Sequence, residues 1–199
     1  MKDHSPSIRD SLQPWLKSWE VVDTAPLDHW IAGMRLRSVD PDELLVETGA
    51  DSQHIYLVQS GLVRLFYTDT EGRERNKAFY GAGDITGPVS AIISGRPASF
   101  CIQALESCEL IQADLQQLLQ VAPTDAAISR LVIRLLADAF MRNEQREALL
   151  LTCNAEQRYR WLLEHQAELI ERIPQYHIAS YLGVDAVSLS RIKRKLERG

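Results

Sequence analysis

Six residues near the end of the chain, Ser188, Ser190, Arg191, Lys193, Arg194 and Lys195, carry hydroxyls and cations of the kind that bind phosphate oxygens and base edges. They act together only if a helix presents them on one stripe. The sequence supplies that helix, because Leu189, Ile192 and Leu196 repeat at three and four residues and bury the opposite stripe. Asp185 can cap its start by accepting a hydrogen bond from the first turn. Ahead of it, PQYHIASYLG predicts a shorter helix: Pro174 opens it without wasting an N–H, Ile178, Ala179 and Leu182 share one face, and Gly183 ends it. Ala179, Gly183 and Leu189 then meet the three demands of a helix-turn-helix, a small residue at the crossing, a turn residue that tolerates positive φ, and a buried aliphatic. A helical hairpin with a merely solvated basic face would account for the cations but not for the turn and core positions.

The overall charge of −5 looks wrong for a nucleic-acid binder until it is divided. From Ala155 onward there are eight Lys/Arg against six Asp/Glu, a net +2, which leaves −7 on the rest; Arg191 to Gly199 alone carries +4. An acidic body with a weakly basic tail favours specific docking over broad adhesion. With 199 residues, 45% of them hydrophobic, the chain can build one or two packed domains. No apolar run is long enough to span a bilayer and the first residues lack the apolar centre of a signal peptide, so a cytoplasmic protein without membrane partners is expected. Cys101, Cys108 and Cys153 are odd in number and lack metal-knuckle spacing, which predicts buried thiols and no metal.

Four segments must position the basic helix. Residues 1–40 read as a helical lead-in, with Leu12, Trp15, Leu16 and Trp19 at helical spacing as packing anchors and a second helical segment from Leu27 to Leu36. Residues 41–122 change to a period of two in short runs bent at glycines, HIYLVQSG, LVRLFYT, NKAFYGAGD and SFCIQALE among them, which predicts an antiparallel roll able to hold a small ligand. Residues 123–152 return to helical spacing. That helix is apolar on more than one face, through Ile128, Leu131, Val132, Leu135 and Ala139, and predicts a dimer seam; a twofold dimer would set two reading helices about 34 Å apart. Residues 153–199 hold a supporting helix with Tyr159, Leu162, Leu163 and Leu169 inward, then the helix-turn-helix, with Thr152 to Ala155 as the hinge. The expected fold is thus α+β: an N-terminal antiparallel jelly-roll-like β-roll, a long central dimerisation helix and an all-α reading domain.

This order of parts, with the phrases HIYLVQSGLVRLF, YGAGDITG and RIPQYHIASYLGVDAVSLSRIKRKL, resembles the Crp/Fnr superfamily of bacterial transcription regulators over nearly the whole chain beyond its first 25 or so residues. The resemblance implies a dimeric DNA-binding regulator with an effector-responsive roll, and RNA polymerase as a further partner. In cyclic-AMP-binding members a Gly-Glu pair holds the ribose and an Arg-Ser pair neutralises the cyclic phosphate. Here Gly87 is followed by Pro88 and Val89, and Ala98 precedes Ser99, so the carboxylate and the cation are both missing; Arg96 lies two residues away. An anion desolvated without its bidentate cation loses on the order of 2 to 3 kcal/mol. The stretch DAFMRNEQRE also lacks the hydroxyls with which such members contact adenine. No cofactor is expected and cyclic AMP is not, though another small effector stays open. His54 and Cys101 are types that ligate haem iron, but single residues of these kinds in a roll are far more often packing or surface groups.

The family's base-reading positions fall on Ala186, Val187, Ser190 and Arg191, of which Arg191 alone can make a bidentate contact with guanine. Ser188, Arg194 and Lys195, with Gln175 and Tyr176 at the first helix's start, fall where phosphates would be touched. Arg172 to Pro174 leave no room for the β-hairpin that winged members insert, so a reader without a wing is expected, leaning on DNA shape. An enzyme finds little support: there is no G-x-S-x-G, no phosphate loop and no paired His with an acid at metal spacing. The alternative is a ligand- or partner-sensing roll with a vestigial reading domain.

Overall fold

The computed structural model describes residues 7–19, 21 and 24–197. Helix α1 (Ile8–Ser18) starts where Ser7 accepts a hydrogen bond from the Asp10 N–H, and it buries Leu12, Trp15 and Leu16 as its spacing predicts. A 3-10 turn at Ala25–Leu27 leads into α2 (Asp28–Ala32), which stops at Gly33. The expected helix from Leu27 to Leu36 is therefore too long. Arg35, Leu36, Arg37, Ser38 and Val39 instead form strand β1 (Arg35–Val39), because their backbone pairs in register with a strand far along the chain. A short amphipathic run of this kind satisfies helical and alternating patterns alike, and pairing decides.

Strands β2 (Leu44–Val46), β3 (His54–Ser60), β4 (Leu62–Thr68), β5 (Glu74–Gly81) and β6 (Ile85–Thr86) follow, then helix α3 (Val89–Ser94), β7 (Cys101–Ala104) and β8 (Cys108–Asp114). They form two four-stranded sheets, ordered β1-β8-β3-β6 and β2-β7-β4-β5, which is the expected antiparallel roll. Asp114 caps α4 (Leu115–Val121), and α5 (Ala126–Thr152) is the predicted long helix. The chain closes with α6 (Ala155–His165), α7 (Ala167–Ile170), α8 (Gln175–Leu182) and α9 (Ala186–Leu196). Among the described residues no strand follows Asp114.

Packing divides the described chain into two compact units. One runs to Val63 and resumes over Tyr80–Ala137; the other joins Arg64–Phe79 to everything from Asp138 onward. The hairpin of β4 and β5 thus belongs largely with the reading helices, and α5 passes from one unit to the other.

The first unit has an apolar core in which Ile55, Leu57, Ile111 and Ala113 meet Leu12, Trp15, Trp30 and Leu118. Trp15 Nε1 donates to Gly83 O at 2.9 Å and Trp30 Nε1 to Asp114 O at 2.6 Å, so both indoles are anchors with their polar ends satisfied. Ile128, Leu131 and Val132 of α5 also lie in this core. They were expected at the dimer seam; they are spent inside the chain, because the greasier face of α5 packs on its own domain. Leu135 is partly buried against the same cluster and Ala139 is half-buried. The large apolar side chains that α5 leaves in solvent are Ile133, Phe140, Met141, Leu150 and Leu151.

Candidate nucleic-acid interface

In the second unit, α6 is fixed by a capping box in which Asn154 accepts from the Gln157 N–H and the Gln157 side chain accepts from the Asn154 N–H. It buries Tyr159 and Leu162 and lies against both α8 and α9. Helix α8 begins after Pro174, whose carbonyl accepts from the N–H groups of His177 and Ile178. It ends at Gly183 with φ of 71°, a left-handed turn. A Cβ there would meet nothing within 4 Å, so glycine is required by the backbone conformation and not by crowding. Ile178, Ala179, Leu182 and Leu189 are buried where the two helices meet, as the motif demands. Asp185 starts α9 by accepting from the Ser188 N–H at 2.6 Å. That backbone bond, and next the Ser188 side chain, hold the Asp185 carboxyl below the usual carboxylate range.

The exposed stripe of α9 carries Ala186, Val187, Ser190, Arg191, Arg194 and Lys195, with Gln175 and Tyr176 exposed at the start of α8. Val187 is 60% and Tyr176 63% exposed, high values for side chains that a folded core would take in. The Ser190 hydroxyl donates to Ala186 O at 3.0 Å, which leaves it to face a ligand as an acceptor. Arg194 Nε reaches Ser190 O at 3.4 Å.

Two expected phosphate contacts are engaged elsewhere. Lys195 Nζ is 2.5 Å from Glu156 on α6, and Glu156 also takes Arg160 at 3.0 Å. These bonds, Lys195 first, hold the Glu156 carboxyl low. Ser188 is half-buried and serves the Asp185 cap. Sequence spacing put both on the basic stripe and predicted a supporting helix, but not that Glu156 on it would reach Lys195.

Of the expected effector residues of the first unit, the structure packs Gly87, Pro88, Val89 and Ala98 and leaves Arg96 and Ser99 exposed. A Cβ on Gly87 would sit 2.9 Å from Ile55 Cγ2 and 3.1 Å from His54 O, so only glycine fits. Pro88 is buried and its carbonyl accepts from Ile92 N at 3.0 Å inside α3, while Val89 packs on the core. Ala98 is 2% exposed; its N–H donates to Ala50 O at 2.9 Å and its carbonyl accepts from Gly49 N at 2.7 Å. Ser99 is exposed. Arg96 lines a cavity of about 700 Å³ with Asp51, Ser52, Gln116 and Gln120, whereas Pro88, Ala98 and Ser99 do not line it. His54 lines two smaller cavities, of about 400 and 360 Å³; Cys101 lines neither and lies 3.4 Å from Thr48 Oγ1.

Among the described residues no group of three His, Cys, Asp or Glu could hold a metal ion, and Cys101, Cys108 and Cys153 form no disulfide. No helix is long and apolar enough to cross a membrane.

Residues 36–125 match the cyclic nucleotide-binding domain family. A stretch of 101 residues is 32% identical to the potassium channel AKT2 of Oryza sativa subsp. japonica, covering 49% of this chain and 12% of the channel. Over 175 residues the chain is 22% identical to the regulatory protein HlyX of Actinobacillus pleuropneumoniae, 82% of this chain and 72% of that protein. FixK2 from Bradyrhizobium japonicum shares the fold, with a TM-score of 0.72 at 22% identity over 83% of this chain and 85% of that one.

Proposed function

We propose that this chain is a transcription regulator of the Crp/Fnr type that acts as a homodimer reading double-stranded DNA through α9, without cyclic AMP as its effector. The observation that carries this reading is the exposed row Val187, Ser190, Arg191 and Arg194, which no packing within the chain requires. Arg191 reads guanine bidentately, Ala186 and Val187 lie against thymine methyls, and the Ser190 hydroxyl accepts from an exocyclic amine. Arg194, Gln175 and Tyr176 hold phosphates.

The two copies meet along the exposed stripe of α5, where Ile133, Ala137, Phe140 and Met141 recur at three, four and seven residues. Pro88 and Ala98 replace the groups that would hold ribose and phosphate, and both are packed, which supports a regulator deaf to cyclic AMP. An electrophoretic shift assay over genomic fragments at fixed salt tests the main reading. A discrete complex that persists against competitor DNA is expected. No complex at micromolar protein would overturn it in favour of a sensing roll with a vestigial reader.

A further inference from the structure

Arg96 is the one cation between Gly87 and Ser99, and it lines the cavity of about 700 Å³ that Pro88, Ala98 and Ser99 do not reach. Three stretches far apart in the chain build its wall: residues 51–53 between β2 and β3, residues 91–96 at α3, and Gln116 and Gln120 on α4.

Backbone hydrogen bonds tie these walls to one another. Gly95 ends α3 in a left-handed turn, φ 64°, and Arg96 N donates to Ala91 O at 3.2 Å, which fixes where the Arg96 side chain leaves the backbone. Two residues on, Ala98 N donates to Ala50 O at 2.9 Å and Ala98 O accepts from Gly49 N at 2.7 Å. The loop that carries Asp51 is thus laced to the segment that carries Arg96. Gln53 O accepts from Leu115 N at 2.9 Å and holds the first turn of α4 to the same loop. Gln116 and Gln120, four residues apart, share one face of that helix.

Asp51 and Arg96 bring opposite charges to one cavity, yet among the described residues neither forms an ion pair, with the other or with any further group. The side chains of Gln116 and Gln120 likewise make no hydrogen bond to a described residue. The cavity therefore presents a cation and an acid at separate points. A molecule that bears both charges satisfies both: its carboxylate takes the planar fork of Arg96 and its ammonium group takes Asp51. A simple anion would sit against the Asp51 carboxylate, and a simple amine against Arg96, so each is disfavoured by one wall. The carboxamides of Gln116 and Gln120 both donate and accept, and suit a neutral polar group. Ile93, 52% exposed in the same wall, offers methylenes an apolar surface. The volume falls in the range of about 300 to 1,000 Å³ that small-molecule sites occupy.

We propose that this cavity is a binding site for a small zwitterion, an α-amino acid in class, held by Arg96 at its carboxylate and by Asp51 at its ammonium group. The inference goes beyond the DNA-binding reading and does not depend on it.

The test titrates the full chain, without DNA, with each of the common α-amino acids and with the matching amine and carboxylic acid that carry one charge only. One or a few amino acids should bind saturably with a dissociation constant of about 1 mM or below, and their single-charge analogues about tenfold or more weaker. Arg96→Gln and Asp51→Asn should each weaken that binding by a similar factor. Both side chains are exposed and bond to no described residue, so the two variants should melt at the wild-type temperature. Flat titrations across the panel up to about 10 mM overturn the inference. Binding that survives both substitutions overturns it too, because the ligand then sits elsewhere. So does binding that needs Arg96 but is indifferent to Asp51 and to the ammonium group, which marks a simple anion site. No DNA enters these titrations, so they decide the matter whether or not the shift assay yields a complex.

Discussion

The segment from Gly87 to Ser99 and the helix from Ala186 to Leu196 are the two places where the sequence leads one to expect a ligand, and they have gone opposite ways. In the first, Pro88 and Ala98 are buried and tied by backbone hydrogen bonds to α3 and to Gly49 and Ala50. In the second, Val187, Ser190, Arg191 and Arg194 stand in solvent on a helix whose other side is fixed by Leu189 and the Asp185 cap. Where small apolar residues stand in place of polar ones, packing takes them in and leaves no polar group to hold an anion there. A site that keeps polar groups on a rigid stripe stays open for a partner.

The comparison breaks most visibly at the dimer. Changing Ile133 and Phe140 to Glu should yield a monomer in sedimentation and weaken binding to a twofold site by about a hundredfold or more, since each half-site then binds alone. Next in size, Arg191→Ala should lower affinity by about tenfold to a hundredfold and relax the preference at one base pair, read by binding to a panel of single-base variants. Arg194→Ala should weaken all sequences alike and reduce the slope of log affinity against log salt by about one. Lys195→Ala should do less than Arg194→Ala in the same salt series, because Lys195 is held by Glu156.

At the effector segment, titration calorimetry with cyclic AMP should show no saturable binding; a dissociation constant in the low micromolar range would overturn the reading of Pro88 and Ala98 as a lost ribose and phosphate site.

Mild acid should leave the reading helix in place. Asp185 and Glu156 have carboxyl groups held below the ordinary range, so their contributions are complete above that range and are lost only as pH falls through the lowered values. Both therefore stay ionised near pH 5.5, so neither the cap nor the Lys195 pair should cost DNA affinity in shift assays between pH 8 and 5.5. Asp69, at the tip of the β4–β5 hairpin, is held down to about 2, chiefly by the Arg73 N–H, and keeps the hairpin turn intact across the same window.

Short-range chemistry made much of this protein legible in its sequence. Gly183 announces a left-handed turn, Asp185 a cap, and Ile178, Ala179, Leu182 and Leu189 a two-helix core, because each demand is met within a few residues. The strand runs of the roll and the extent of α5 follow from periodicity in the same way. Tertiary structure decided what depends on residues far apart in the chain. Pairing with β8 turned Arg35 to Val39 into a strand, the core of the first unit claimed Ile128, Leu131 and Val132 from the expected seam, and Glu156 took Lys195 from the exposed basic stripe. His177 shows the division most sharply. In the sequence it is one of five scattered histidines, and burial brings Arg64 and Asn76, 113 and 101 residues away, to one of its ring nitrogens.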